Sequence, residues 1–99
     1  MYQIRVARDV EKDLKKLKAR DRKLVVDAIQ TNLSYQPTIA TRNRKILASL
    51  IPPWNAEPPI WELRVGDYRV FYDVSEAEET VFVRAIRRKP GGQTTEEIL

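Results

Sequence analysis

The chain has 99 residues, 42% of them hydrophobic and 32% charged, with a formal net charge of +4. That length supports one modest hydrophobic core, so a single domain is expected over residues 1–99. Cysteine and histidine are both absent, which excludes disulfides, zinc sites of the usual ligands and the common neutral-pH proton shuttle; no metal or cofactor is expected, and any catalysis falls to Lys, Arg, Asp, Glu and Tyr.

No apolar run approaches the roughly 20 residues of a membrane-crossing helix, and no apolar stretch follows the first basic residues as in a secretory signal, so a cytoplasmic protein without membrane association is expected. Residues 2–7, YQIRVA, alternate Tyr2, Ile4 and Val6 and predict a short strand. The period then changes. Asp9 is placed to cap a helix of about 10 to 12 residues, with Val10, Leu14 and Leu17 on one face and Glu11, Lys12, Lys15, Lys16 and Lys18 towards solvent. Asp21 reads as the cap of a second helix, in which Val25, Ile29 and Leu33 recur every four residues. The short link at Ala19-Arg20-Asp21 makes the pair an antiparallel hairpin. From Tyr35 to Pro59 the prolines Pro37, Pro52, Pro53, Pro58 and Pro59 mark irregular connections. Within this stretch TRNRKILASLI is expected to hold a short helical turn, with a basic cluster at Arg42, Arg44 and Lys45 and an apolar anchor at Ile46, Leu47, Leu50 and Ile51. Trp54 either anchors its proline-rich loop or meets a partner.

Residues 61–74, WELRVGDYRVFYDV, carry the strongest pattern. Trp61, Leu63 and Val65 alternate with Glu62 and Arg64, Gly66-Asp67 interrupts the run, and Tyr68, Val70, Tyr72 and Val74 alternate with Arg69, Phe71 and Asp73. This is the period of a half-buried β-hairpin. Trp61, Tyr68 and Tyr72 fall on its core face, while Phe71 and, further on, Phe82 read as base-stacking candidates. After an acidic turn, TVFVRAIRR predicts a last strand with Val81, Val83 and Ala85 on one face and Phe82, Arg84, Ile86 and Arg88 on the other. Thr94-Thr95-Glu96-Glu97 resembles a capping box and predicts a short C-terminal turn. The order strand, helix, helix, strand, strand, strand implies an α+β fold: a two-helix antiparallel hairpin packed on one face of a mostly antiparallel four-stranded sheet. The other face would carry Arg64, Arg69, Arg84 and Arg88 over an apolar floor, a surface suited to a polyanion. Each arginine also has a plainer reading as a solvated charge, and Arg69 in particular as a cross-strand partner of Glu62 or Asp73.

The order of elements, and above all LRVGDYRVFYDV followed by VFVRAIRRK, resembles the RelE/ParE superfamily of type II toxins over essentially the whole chain. The resemblance implies one of two activities. RelE-like members are metal-independent endoribonucleases that cut mRNA in the ribosomal A site and so inhibit translation; ParE-like members inhibit DNA gyrase. A non-catalytic RNA- or protein-binding module of the same fold is a third reading. In the RelE-like reaction the ribose 2′-oxygen attacks the adjacent phosphate, which needs a base, stabilisation of the charge on phosphorus and an acid for the leaving oxygen. Carried over by position, Arg69 matches the arginine that acts on the scissile phosphate. Arg88 and Lys89 fall at the end of the last strand, with Lys89 in the register of the second active-site arginine. Arg64, Arg84 and Arg87, with Arg44 and Lys45 ahead of the sheet, are the RNA-binding candidates. Two lysines of RelE-like nucleases fall here on Ile60 and Glu62, and their C-terminal tyrosine has no counterpart. Glu62 becomes the alternative base, and Lys89 either donates a proton or balances charge. The resemblance also implies a separately encoded antitoxin that blocks the site, the ribosome and mRNA as targets, and operator DNA bound only through the antitoxin.

Overall fold

The computed structural model describes residues 1–89 and 91–99, with Glu96 described by its backbone alone. Its elements in chain order are β1 (Gln3–Val6), α1 (Arg8–Lys16), α2 (Ala19–Leu33), β2 (Arg44–Leu47), β3 (Ile60–Val65), β4 (Tyr68–Ser75), β5 (Thr80–Arg88) and α3 (Thr95–Ile98). One sheet runs in the order β1-β5-β4-β3-β2, antiparallel at every junction except the parallel β1–β5 pair. The sheet therefore has five strands rather than four. The additional one is β2, which takes the place of the helical turn expected within TRNRKILASLI. It pairs with β3 from Arg44↔Leu63 to Leu47↔Ile60. A ladder offered by a strand more than a dozen residues away outweighs a weak local preference, as strand pairing commonly does.

Both helices lie on one face. Val10 of α1 and Val25, Ile29 and Leu33 of α2 form one buried cluster with Trp61, Leu63, Val65, Val70, Tyr72, Val81, Val83 and Ile86 of the sheet. Each fully buried side chain of this size contributes roughly 1.5–3 kcal/mol of hydrophobic stabilisation. The helices begin earlier than the acidic residues suggest. The cap positions are Ala7 and Lys18, neither with a side-chain cap bond, and Asp9 and Asp21 lie in the first turns. There they still complement the positive end of the helix dipole. Asp21 has a further role: it accepts a hydrogen bond from the Tyr68 hydroxyl at 3.0 Å, tying α2 to the hairpin. The end of α1 is closed by Arg22, whose Nε and Nη2 donate to the carbonyls of Leu14 and Leu17 at 3.1 and 3.0 Å. Those carbonyls lie where the intrahelical ladder runs out.

The β3–β4 turn depends on Gly66, whose φ of 57° is left-handed and costs a residue with a Cβ roughly 1–2 kcal/mol. The β4–β5 ladder contains a bulge. Phe71 pairs with Ala85 but Tyr72 pairs with Val83, so Arg84 is extra on β5. Alternation therefore reverses at Arg84. Val81 and Val83 face the helices, and beyond the bulge so does Ile86, while Ala85 crosses to the other side with Phe71. The assignment of Ala85 to the core face and of Ile86 and Arg88 to the open face is thereby overturned. That second face is not bare either. Ile60, Phe71 and Ala85 are buried there, and the Trp54 ring packs on Phe71 with centroids 5.5 Å apart. Phe71 is thus a packing residue and not a base-stacking one.

Tyr72 is fully buried and donates its hydroxyl to the Pro37 carbonyl at 2.5 Å, anchoring the loop after α2. Burial pushes its phenol well above the ordinary value of 10.0, partly opposed by the nearby Arg44 charge. A raised folded value means the stability secured by this proton is present in full below about pH 10 and is lost as pH climbs beyond it. Urea unfolding from pH 8 to 11 should show wild-type stability falling at the alkaline end. In Tyr72→Phe the stability should start lower and respond less to pH.

Candidate anion-binding site

The antiparallel register of β3, β4 and β5 sets three arginines side by side on the face opposite the helices: Arg64 pairs with Arg69, and Arg69 with Arg87. One step along, Lys45, Glu62, Phe71 and Ala85 form the neighbouring row across β2 to β5. From these rows a cleft of about 140 Å³ opens, lined by Arg42, Asn43, Lys45, Glu62, Arg64, Arg69 and Lys89. Among the described residues, five cationic side chains there surround one carboxylate.

Glu62 lies at the bottom, 3% exposed. Its Oε2 accepts a hydrogen bond from Thr95 Oγ1 at 2.9 Å, and its Oε1 is 3.5 Å from Lys45 Nζ. Lys89 Nζ reaches the same Thr95 hydroxyl at 3.5 Å. Arg69, 8% exposed, donates from Nη1 to the carbonyls of Gly66 and Tyr68, both at 2.8 Å. The hairpin turn thus fixes the direction of its guanidinium plane. Its Nε and Nη2 have no acceptor among the described residues. Arg64 is exposed, and its backbone N–H donates to the Asn43 carbonyl at 2.7 Å, which brings the segment before β2 to the rim. A concave site of fixed donors and little competing acceptor is suited to an anion with several oxygens, such as a phosphodiester. Among the described residues no group of three or more His, Cys, Asp or Glu side chains is arranged to hold a metal ion.

Of the residues singled out from the sequence, Arg69, Lys89, Glu62, Arg64, Lys45 and Arg42 meet in this cleft. The others do not. Arg88 pairs with Tyr68 and projects on the helix side, where it lines a separate cleft with Lys16, Lys18, Asp21 and Asp67. Arg44 is 7% exposed on the helix side, with Nη1 donating to the Asn32 carbonyl at 2.6 Å and Nε to the Ile39 carbonyl at 3.2 Å. It closes the last turn of α2 and has no surface to offer RNA. Arg84 chelates the buried carboxylate of Asp73 at 2.7 and 3.1 Å while lying 4.7 Å over the Phe82 ring. Arg87 turns from its row towards Asp13, 3.8 Å away, and the Trp54 ring, 5.7 Å away. Trp54 is both a lid on Phe71 and a wall of a third cleft, which Arg84 and Arg87 share with Lys12 and Lys16. The sequence pattern gave Thr95 only a place in a capping box and gave Asn43 no role at all. The Thr94 cap forms, its hydroxyl accepting from the Glu97 N–H, but a cap signal does not say which neighbouring side chain turns inward.

The model of one protein family matches residues 4–89: the ParE toxin of type II toxin-antitoxin systems, parDE. The chain belongs to this family. As a member of the RelE/ParE superfamily the toxin also has solved structural relatives. The RelE of the archaeal RelE-RelB complex from Pyrococcus horikoshii is 21% identical, with a TM-score of 0.70 over 94% of this chain and 98% of that one. In the RelBE2 toxin-antitoxin complex from Mycobacterium tuberculosis the matching chain is 26% identical, with a TM-score of 0.64 over 89% and 98%. The isolated RelE toxin of E. coli is 17% identical, with a TM-score of 0.61 over 98% and 94%. No curated protein matches the sequence. These likenesses bear out the α+β architecture of two helices on one face of the sheet.

The two burial states of the basic residues separate in a pair of variants. Arg44→Ala should lower stability by about 2 kcal/mol in urea unfolding, as expected for loss of hydrogen bonds from a charged group, and leave affinity for a short single-stranded RNA unchanged. Arg64→Ala should do the reverse: weaker and less salt-dependent RNA binding, with unfolding unaffected.

Proposed function

We infer that the toxin is a ribosome-dependent mRNA endoribonuclease that inhibits translation, and that it works in the cytoplasm without a metal. The row Arg64–Arg69–Arg87 carries this reading. Like charges placed directly opposite on adjacent strands oppose folding, and an anionic ligand that meets them would offset that repulsion. The cleft beside the row supports the chemistry. Arg69, held by the turn carbonyls, and Arg64 neutralise the charge that grows on the phosphate. Glu62 takes the proton as the 2′-O–H bond breaks and the 2′-oxygen bonds to phosphorus. As the bond from phosphorus to the 5′-oxygen breaks, Lys89 protonates the leaving oxygen. The products are a 2′,3′-cyclic phosphate and a free 5′-hydroxyl. Lys45 and Arg42 hold the neighbouring phosphate, and Arg87 extends the basic track towards Trp54. Arg84, committed to Asp73, and Arg88, on the other face, lie outside this path.

The partner we propose is a cognate antitoxin, since the family is defined as one half of a toxin-antitoxin system and two of the similar structures are complexes of that kind. The edge strand β2, with Ile46 half-exposed and the apolar segment Leu47 to Ile51 beyond it, supports a peptide partner on that flank. Operator DNA would be met through the antitoxin. One observation favours a second reading, inhibition of DNA gyrase: the positions of the RelE-like lysine pair hold Ile60 and Glu62.

Primer extension on translated mRNA decides between them. The wild-type toxin should produce new 5′ ends, and Arg69→Ala should lower their rate on the order of 100-fold. Undiminished cleavage by Arg69→Ala would remove that residue from the reaction. Intact mRNA together with loss of supercoiling by purified gyrase would replace the nuclease reading by the second one.

A further inference from the structure

The geometry points to Thr95 as a positioning residue that holds the Glu62 carboxylate and passes a proton from it to Lys89 after each turnover. The inference rests on the nuclease reading and concerns how the same site resets. Transphosphorylation takes one proton from the 2′-oxygen and gives one to the 5′-oxygen. It therefore leaves Glu62 protonated and Lys89 as a neutral amine, and the next cycle requires the opposite states. The hydroxyl of Thr95 stands between the two, 2.9 Å from Glu62 Oε2 and 3.5 Å from Lys89 Nζ. In the reset the proton on Glu62 moves to Oγ1 while Oγ1 releases its own proton to Lys89 Nζ, so the hydroxyl ends as it began and no other reactant is consumed. Bulk water is a poor substitute at this depth, because Glu62 is 3% and Thr95 7% exposed.

Position supports the role as much as distance. Thr95 opens α3, a four-residue turn set by the Thr94 cap, and its inward hydroxyl is what joins that turn to β3. The remaining charged groups around Glu62 come from every other side of the cleft: Arg42 from the loop, Lys45 from β2, Arg64 from β3, Arg69 from β4 and Lys89 from just past β5. Among the described residues all are cations, and none accepts a proton from a carboxylic acid while charged. Thr95 Oγ1 is the side-chain hydroxyl that the described residues bring to Glu62. A hydroxyl is both donor and acceptor, which the transfer needs.

The test is steady-state cleavage of mRNA on programmed ribosomes by the full chain, with Thr95→Val, Thr95→Ser and Arg69→Ala alongside. Thr95→Val keeps the side-chain shape and should lower kcat on the order of 10- to 100-fold at unchanged KM, the range for a lost hydrogen bond to a charged group. Thr95→Ser should restore kcat, and added imidazole, a diffusible proton carrier, should raise the rate of Thr95→Val but not of Arg69→Ala. Wild-type kcat in Thr95→Val, an equal loss in Thr95→Ser, or a loss that imidazole does not relieve overturns the inference and leaves the nuclease reading in place. Wild-type protein that leaves the mRNA intact overturns both.

Discussion

Arg84, the one residue that β5 carries in excess of β4, sets the allocation of side chains over the last third of the sheet. Before it, Val81 and Val83 enter the helix-side core; after it the alternation is inverted, so that Ile86 completes that core and Arg87 and Lys89 emerge on the opposite face. Without the bulge Lys89 would face the helices and the cleft around Glu62 would lack the cation that follows β5. The unpaired residue is itself stabilised, because its guanidinium chelates the buried Asp73 carboxylate and lies over Phe82. A bulge of this kind re-aims side chains at the cost of a local break in the ladder.

The two faces of the sheet divide the labour. The helix side provides most of the apolar burial, together with fixed polar ties that hold the layers in place: Tyr68 to Asp21, Tyr72 to the Pro37 carbonyl and Arg44 to the end of α2. The other side has a small apolar patch under Trp54 and, next to it, a concentration of positive charge with one acid at its base. Proximity of the two is useful. The buried Phe71, directly across the ladder from Glu62, covers one flank of it, and a sheltered carboxylate among cations interacts with them more strongly than it would in bulk solvent. The turn carbonyls that hold Arg69 do for the guanidinium what packing does for an apolar side chain, fixing its direction before any ligand arrives.

Much of this was legible along the chain. Helical spacing in Val25, Ile29 and Leu33, the two-residue alternation of the hairpin and the Gly66-Asp67 break all describe local periodicity, and local periodicity survives folding. So did the juxtaposition of Arg64 and Arg69, because a tight turn fixes the register of the strands it joins. Other features had no local cause. β2 is a strand because β3 is there to pair with it. Arg44, two positions from the exposed Arg42, is buried because α2 ends with unsatisfied carbonyls above it. Thr95 reaches Glu62 across 33 positions of sequence, a contact that only chain reversal at the end of β5 creates.

The sequence by itself determined the α+β layering and the basic character of the sheet face, since composition and period are properties of the chain alone. Tertiary structure decided which cations share one site. A single extra residue in β5 leaves hydrophobic content unchanged yet exchanges inside for outside in everything after it, so Arg88 went to the helix side and Lys89 to the cleft. The physical reason is that strand alternation records parity, and parity is set by hydrogen bonding to a neighbour that the sequence of the strand does not contain.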